Sequence, residues 1–206
     1  MSEIKFATIG TSKITKTFLS AASNVPEFKL EATYSRNIKN AIEFGTPYNV
    51  TKFYDSLKAL AEDRTIDAVY IASPNAFHCS QAIQMMKAGK HVLCEKSLAS
   101  NKKEAEEMFR TAAENNVILL EAMRPVFDPG MDAVKASLNK LGVIRRATLN
   151  YCQYSSRYDS FLQGQEHNIF SRECSAGALM DIGTYCVHGL LCLFGKPQKV
   201  MGFSDI

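Results

Sequence analysis

The 206-residue sequence lacks several features that would assign a protein to its class directly. Its six cysteines form no Cys-X-X-Cys pair, no closed zinc spacing occurs, and no run of Lys and Arg stands out. The N-terminal segment MSEIKFATIG has neither the basic region nor the cleavage site of a secretory signal. The longest hydrophobic stretch, at 176–194, contains Asp181 and His188, so a membrane span is not expected. We therefore expect a cytoplasmic protein with reduced thiols, no metal site, and no nucleic-acid or membrane partner.

The composition is that of a folded globular protein. Hydrophobic residues make up 46% of the chain and charged residues 22%, with a net charge of +3. These values exclude a disordered or collagen-like chain. A length of 206 residues predicts between one and two domains. It also suffices to bury a core without disulfide or metal crosslinks.

Short apolar strands alternate with helices over residues 1–123. The strands are unbroken apolar runs, Gly45 closes one helix, and Gly89 ends another at the position where a C-cap glycine belongs. This arrangement predicts βαβ units and a parallel sheet that helices cover on both faces. The predicted strands are 4–9, 28–34, 68–72, 91–94 and 117–120, and the predicted helices are 13–23, 38–44, 56–62, 77–88 and 102–115.

The pattern changes after Arg124, so we expect a second domain over 124–206. Residues 131–139 are predicted to be helical, and 144–154 (IRRATLNYCQY) alternate like a strand with one packed face. Residues 176–194 form a helix that is apolar on nearly every side, which predicts a buried helix. Residues 200–204 look like the start of one more strand.

A glycine turn joins the first strand to the first helix, at Gly10, Thr11, Ser12, Lys13 and Ile14. A dinucleotide-binding Rossmann turn has the pattern GxGxxG, so that the backbone can approach a pyrophosphate at the helix N-terminus. Here Ser12 and Thr15 stand at the second and third glycine positions. The place of the turn at the start of the βαβ series favours a dinucleotide site over an ordinary strand–turn–helix connection.

The end of the second strand distinguishes the two dinucleotides. NAD-binding proteins usually have Asp or Glu there for the ribose hydroxyls, whereas an arginine accommodates a 2′-phosphate. This sequence has Ser35 and Arg36 and no acid, which favours NADP over NAD and argues against a methyltransferase-like domain. The alternative is that Arg36 is a solvated loop residue.

Two further places carry candidate catalytic groups. Lys96 follows a predicted strand, at the sheet edge where parallel sheets bind ligands, although an ordinary surface lysine is the alternative. Asp181, Tyr185 and His188 are spaced i, i+4 and i+7, so they share one stripe of their helix. Because polar groups on a buried helix need partners, the stripe favours a polar pocket, and the alternative for His188 is a place in the core.

Five segments carry a family resemblance. They occur in family order over essentially the whole chain: FATIGTSKIT at the N-terminus, SPNAFH (73–78), HVLCEKSLA (91–99), EAMRP (121–125) and GALMDIGTYCVH (177–188). Together they resemble the Gfo/Idh/MocA oxidoreductases. The DIGTY form resembles the branch with dimeric dihydrodiol dehydrogenases, NADP-linked xylose dehydrogenases and glucose–fructose oxidoreductase.

The resemblance implies a Rossmann domain followed by an α+β domain with an open, mostly antiparallel sheet, whose outer face makes a homodimer. It implies that Lys96 matches the lysine of the family's EKP motif and that Tyr185 matches the catalytic tyrosine. Ser97 departs from this motif, because it stands where the family has a proline with a fixed φ. The matching segments imply cofactor contacts at Ser73, Pro74, Asn75, His78, Glu95, Lys96 and Arg124.

We expect hydride transfer between C4 of NADP and a hydroxyl-bearing carbon of a sugar, polyol or cyclic diol. Tyr185 would exchange the proton with that hydroxyl, and Lys96 would lower the pKa of the tyrosine from about 10. Asp181 would orient Lys96 or a substrate hydroxyl. Substrate contacts are expected from Lys96, Asp181, Tyr185 and His188, and from the loop 153–172, whose candidates are Tyr154, Arg157, Tyr158 and His167. The alternative is a sensor of the same fold that binds the dinucleotide without turnover.

The length bears on the second domain, because only 83 residues (206 minus 123) follow the first. A mean sheet has about 5–6 strands, and two strands do not cover an apolar helix such as 176–194. We therefore expect a partial chain that lacks the remaining strands of the second sheet.

Overall fold

Six parallel strands form one sheet in the computed structural model, which describes residues 3–203. The spatial order is β3-β2-β1-β4-β5-β6, and every neighbouring pair is parallel. This order reverses between β1 and β4, at the switch point where doubly wound sheets bind dinucleotides. The predicted Rossmann-like α/β fold is confirmed. The strands are β1 (Ile4–Ile9), β2 (Phe28–Tyr34), β3 (Lys52–Tyr54), β4 (Ala68–Ile71), β5 (His91–Cys94) and β6 (Leu119–Glu121).

Helices connect these strands, and several begin at side-chain caps. Asn37, Ser56 and Asn101 accept hydrogen bonds from backbone N–H groups in the first turns of α2, α3 and α5. Such a cap satisfies a donor that the helix leaves free, which fixes where each helix starts. The helices are α1 (Lys13–Ala22), α2 (Ile38–Gly45), α3 (Leu57–Glu62), α4 (His78–Lys87) and α5 (Lys102–Glu114).

The core lies on both faces of the sheet, with β4 at its centre. All four residues of β4 are buried. Met85 and Met86 of α4 and Met108 of α5 are fully buried in the same hydrophobic cluster. A strand covered on both faces has no wet side, which explains why AVYI is apolar without alternation.

β3 is a strand that the sequence did not predict, because KFY is short and begins with a lysine. Asp63 holds it in place: Lys52 Nζ and the Tyr54 hydroxyl donate to Asp63 Oδ2 at 3.1 and 2.7 Å. The N–H and hydroxyl of Thr65 donate to Asp63 Oδ1 at 2.8 and 2.7 Å. Burial alone would raise the pKa of Asp63, but these four hydrogen bonds hold it well below its usual range.

The chain after β6 is helical or irregular, with α6 (Pro129–Ser137), α7 (Tyr158–Leu162) and α8 (Thr184–Phe194). A π-helical turn, Leu179–Gly183, leads directly into α8. The prediction of a strand over 144–154 is wrong: among the described residues, 3–203, this segment pairs with no other strand. Residues 200–203 form no strand either, and Ser204 lies outside the described residues. A strand forms only where a neighbour takes up its backbone hydrogen bonds, so the open second sheet stays a prediction.

α8 is not buried, contrary to the prediction. Gly189 is its only buried residue, whereas Val187 is 51% and Phe194 44% exposed. An apolar helix face is buried only when another element covers it, and no sheet among residues 3–203 lies there. The helical run Arg172–Phe194 has the length and mean hydropathy (1.4) of a membrane span. A single helix of this kind is weak evidence for a membrane span, because the criterion uses length and composition alone.

Candidate active site

A cleft of about 530 Å³ lies at the carboxyl ends of β1, β4 and β5, between the sheet and the chain around α7 and α8. The predicted site residues that line it are Ser12, Ile14, Ser73, Pro74, Asn75, Glu95, Lys96, Arg157, His167, Asp181 and Tyr185. The sequence did not predict a second group, Ala72, Asn168, Ile169, Cys174 and Ala176. Most of these belong to irregular chain between α7 and the π-helical turn, where neither periodicity nor a motif marks a residue.

The turn after β1 has the geometry that a dinucleotide site requires. Gly10 has a φ of +112°, and a Cβ there would lie 2.6 Å from the carbonyl oxygen of Ala72 at the end of β4. Ser12 precedes α1, its side chain makes no cap hydrogen bond, and the first turn of α1 contains no acidic residue. The N–H groups of that turn are thus available to an anion such as a pyrophosphate. Thr11 and Lys13 belong to this turn but do not line the cleft.

Ser35 and Arg36 follow β2, next to the Gly10 turn. Gly10 N–H donates to the carbonyl oxygen of Tyr34 at 3.3 Å, which fixes the ends of β1 and β2 together. Arg36 Cζ lies 6.0 Å from the ring centroid of Phe77, which belongs to the loop after β4. A guanidinium held beside an aromatic ring at this edge suits the adenosine end of a dinucleotide, and its charge suits a 2′-phosphate.

Lys96 joins the two halves of the cleft. Its Nζ donates to Asp181 Oδ1 at 2.7 Å and to the Asp181 carbonyl oxygen at 2.8 Å. The same Nζ lies 5.1 Å from the ring centroid of Tyr185. The Lys96 side chain is only 16% exposed, so this ion pair is shielded more than a surface pair. The fold therefore brings the three predicted catalytic residues together.

The pKa of Tyr185 corrects one expectation. Burial, the largest effect, raises this pKa above 10.0, and the charges of Glu95, Tyr151 and Asp181 raise it further. Lys96 does lower the pKa, as expected, but it does not offset the other effects. The physical reason is that burial disfavours the charged phenolate, and Asp181, which is paired with the ammonium group of Lys96, adds a smaller contribution in the same direction.

Glu95 is held at the cleft wall by a buried tyrosine. The Tyr70 hydroxyl donates to Glu95 Oε1 at 2.6 Å, and the Tyr70 ring stacks on Phe18 at a centroid distance of 3.9 Å. Burial, followed by the contact with Glu95, raises the pKa of Tyr70 far above its usual value. Tyr70 is thus a permanent donor that fixes the Glu95 carboxylate beside Lys96.

His78 does not line the cleft. It is fully buried, and its ring nitrogens lie 2.9 Å from the carbonyl oxygen of Ser97 and 2.8 Å from that of Ser73. Burial lowers the pKa of this histidine, although both backbone contacts and the charges of Glu95 and Glu121 oppose the effect. His78 thus supports two loops of the cleft from behind.

Other predicted residues also do not line the cleft, namely Ser35, Arg36, His188, Arg124 and Tyr154. His188 Nδ1 is 3.4 Å from Cys192 Sγ, and its Nε2 is 4.0 Å from Glu121 Oε2. Arg124 is exposed in the short helical turn Arg124–Phe127 after β6. Tyr154 lines an adjoining cleft of about 400 Å³. Arg157 and Asp181 line both clefts.

The sequence of the first domain matches a known family of oxidoreductases. Residues 4–123 match the sequence profile of GFO_IDH_MocA, described as an oxidoreductase family with an NAD-binding Rossmann fold. The chain belongs to the Gfo/Idh/MocA oxidoreductase family. Within this family, the resemblance to the dihydrodiol dehydrogenase branch agrees with the relatives that follow.

Two curated relatives and one solved structure illustrate the similarity. The chain is 49% identical to scyllo-inositol 2-dehydrogenase (NADP(+)) IolU of Bacillus subtilis, over 96% of this chain and 60% of that protein. It is 29% identical to trans-1,2-dihydrobenzene-1,2-diol dehydrogenase of Mus musculus, over 98% of this chain and 60% of that protein. The structure of KijD10, a 3-ketoreductase from Actinomadura kijaniata in complex with NADP and TDP-benzene, superposes with a TM-score of 0.77 at 27% identity. That match covers 94% of this chain and 58% of KijD10. The chain thus spans about 60% of the length of the curated relatives that it matches.

Proposed function

We propose that this chain carries the NADP site and the catalytic centre of a dehydrogenase that acts on a hydroxyl-bearing carbon of a cyclic polyol or diol. The observation that carries the proposal is the ion pair of Lys96 with Asp181, beside the Tyr185 ring, in a cleft at the dinucleotide switch point. Relatives named as an NADP(+)-dependent scyllo-inositol dehydrogenase and as dihydrodiol dehydrogenases support the cofactor and the substrate class.

The residues present fit NADP. The free N–H groups at the start of α1 suit the pyrophosphate, and the absence of a Cβ at Gly10 lets the turn pack against the end of β4. Ser35 and Arg36 suit the 2′-phosphate. Asn75 and Glu95 line the cleft together with Lys96, where the nicotinamide ribose would lie. When bound, NADP exchanges a hydride with the substrate carbon.

Tyr185 provides the proton that accompanies the hydride. Because burial keeps its pKa above 10.0, the phenol is protonated at neutral pH and donates to a substrate carbonyl oxygen during reduction. In the oxidation direction the same oxygen accepts the proton of the substrate hydroxyl, a step that becomes more favourable as the pH rises. Lys96 stabilises the phenolate and donates to the substrate oxygen, while Asp181 orients Lys96.

The substrate would lie between Lys96 and the chain around α7. Arg157 lines the cleft opposite the first domain, and Tyr154 lines the adjoining cleft, so both are proposed to bind substrate hydroxyls. The division at residue 123, a homodimer through the second sheet, and a cytoplasmic location stay predictions.

The test is turnover by purified protein with NADP and a panel of inositol isomers, cyclic trans-diols and aldoses. We expect NADPH formation with at least one cyclic polyol or diol, and a loss of about 10²–10⁴-fold in kcat for Tyr185→Phe. NADPH binding, measured by its fluorescence, should stay within about twofold, because the substitution removes only a proton donor.

Tyr48→Phe is the matched control, because it removes a partly exposed hydroxyl on a helical turn that does not line either cleft. Unchanged turnover in Tyr185→Phe would refute the role of this residue. NADPH binding without turnover of any compound in the panel would instead favour a dinucleotide sensor.

A further inference from the structure

Ser97 makes a contact that the proline of the family motif has no group to make. It lies in the loop after β5 and is only 7% exposed. Its hydroxyl donates to the carbonyl oxygen of Met180 at 2.9 Å, across 83 positions of the sequence. This hydrogen bond joins the Rossmann sheet to the π-helical turn that carries Asp181 and leads into Tyr185.

The π-helical turn changes the backbone pairing at the Met180 carbonyl. In an α-helix the N–H of Thr184 would donate to Met180, four residues earlier. Here Thr184 N–H donates to Leu179, five residues earlier. The Met180 carbonyl therefore lacks the Thr184 N–H that an α-helix provides, and it accepts a hydrogen bond from the Ser97 hydroxyl.

The neighbouring residue makes the equivalent contact. Lys96 Nζ donates to the carbonyl oxygen of Asp181 at 2.8 Å, so two consecutive residues of one loop bind two consecutive carbonyls of the turn. The loop itself is fixed from behind, since the Ser97 carbonyl lies 2.9 Å from Nδ1 of the fully buried His78. A rigid loop thus holds the turn at two adjacent points.

We infer that Ser97 is a positioning residue, which through the Met180 carbonyl fixes Asp181 and Tyr185 in register with Lys96. The inference rests on the proposed function for its effect on turnover. Ser97 does not touch the reacting atoms. Loss of its hydroxyl should therefore leave the cofactor site intact and loosen only the geometry between Lys96 and Tyr185. Because Lys96 is the group that lowers the pKa of Tyr185, a looser contact raises that pKa further.

The experiment compares Ser97→Ala with wild type, with Ser97→Thr as rescue. We expect Ser97→Ala to lower kcat about 5–10-fold, the effect of losing one part-buried hydrogen bond. KM for NADP should change less than twofold, and the pH midpoint of kcat in the oxidation direction should move upward. Ser97→Thr keeps the hydroxyl and should restore the midpoint. Ser137→Ala is the matched control, because the Ser137 hydroxyl also donates to a backbone carbonyl, that of Ala133 at 2.8 Å, and Ser137 lines neither cleft.

Amide hydrogen exchange tests the contact independently of turnover. We expect faster exchange over 177–186 in Ser97→Ala, unchanged exchange in the sheet, and recovery in Ser97→Thr. Unchanged exchange over 177–186 would overturn the inference whether or not the protein turns over a polyol. Faster exchange with an unmoved pH midpoint and unchanged kcat would overturn it too. A wild type that binds NADPH without turnover refutes the proposed function instead, and exchange then decides alone whether Ser97 fixes the turn.

Discussion

Replacing Gly10 by alanine perturbs the point where the cofactor turn meets the sheet. The φ of +112° is one that an L-residue adopts only with strain, of about 1–3 kcal/mol. The new Cβ would also lie 2.6 Å from the Ala72 carbonyl oxygen and 2.9 Å from its carbon. Both are backbone atoms of the strand end and do not rotate away, so the turn must shift, at a further cost of about 1–3 kcal/mol. We expect Gly10→Ala to lower the free energy of unfolding by about 4 kcal/mol.

Gly89→Ala separates the two contributions. Gly89 also has a positive φ, of +79°, but a Cβ there meets no atom within 4 Å. This variant therefore has the backbone strain without the clash, and should lose about 1 kcal/mol. The difference between the two variants measures the close approach of the turn to β4.

Urea unfolding followed by circular dichroism gives both free energies. Since 1 kcal/mol corresponds to roughly 2–4 °C in a chain of this size, Gly10→Ala should melt about 8–16 °C below wild type. NADPH affinity should fall at least 10-fold in Gly10→Ala and stay unchanged in Gly89→Ala. If the two variants were equally stable and bound NADPH equally well, the close approach at Gly10 would have no energetic role.

Three further changes test other parts of the structure. Asp63→Asn should lower the free energy of unfolding by about 2–3 kcal/mol at pH 7, since it removes the charge that Lys52 and Tyr54 bind. Because the pKa of Asp63 is lowered in the folded chain, urea unfolding should show this loss in full above pH about 4 and a smaller loss as the pH falls further. Arg36→Gln should weaken NADPH binding about 10-fold and leave NADH binding unchanged, as fluorescence titrations of the two cofactors would show, if the guanidinium binds the 2′-phosphate. Lys96→Met removes the group that lowers the pKa of Tyr185, so the oxidation pH profile should shift upward and kcat should fall; an unshifted profile would contradict the assignment.

The sequence determined the first domain because its signals are local. Unbroken apolar strands, capped helices and the Gly10 turn each depend on a few consecutive residues, and the observed bounds lie within about two residues of the predicted ones. β3 was missed because its stability comes from Asp63, which follows it by nine residues or more and contacts it only in the folded chain.

The structure of the second half of the chain depends more on which elements pack against each segment. The alternation at 144–154 predicts a strand, and the apolar residues of 176–194 predict burial, but both require a covering element that residues 3–203 do not provide. The local pattern gives the secondary structure that a segment favours. Whether a strand forms, or an apolar face is buried, depends on the elements that lie beside it.

Spacing and family resemblance identified Lys96, Asp181 and Tyr185 as one group before any contact was known. Only the tertiary structure decided how they interact: Lys96 is paired with Asp181, and burial outweighs its effect on the pKa of Tyr185. The structure also shows that His78 and His188 lie outside the cleft and that Ser97 donates to the Met180 carbonyl. The reason is that sequence specifies which groups are available, whereas charge compensation and burial depend on distances between residues 83 or more positions apart.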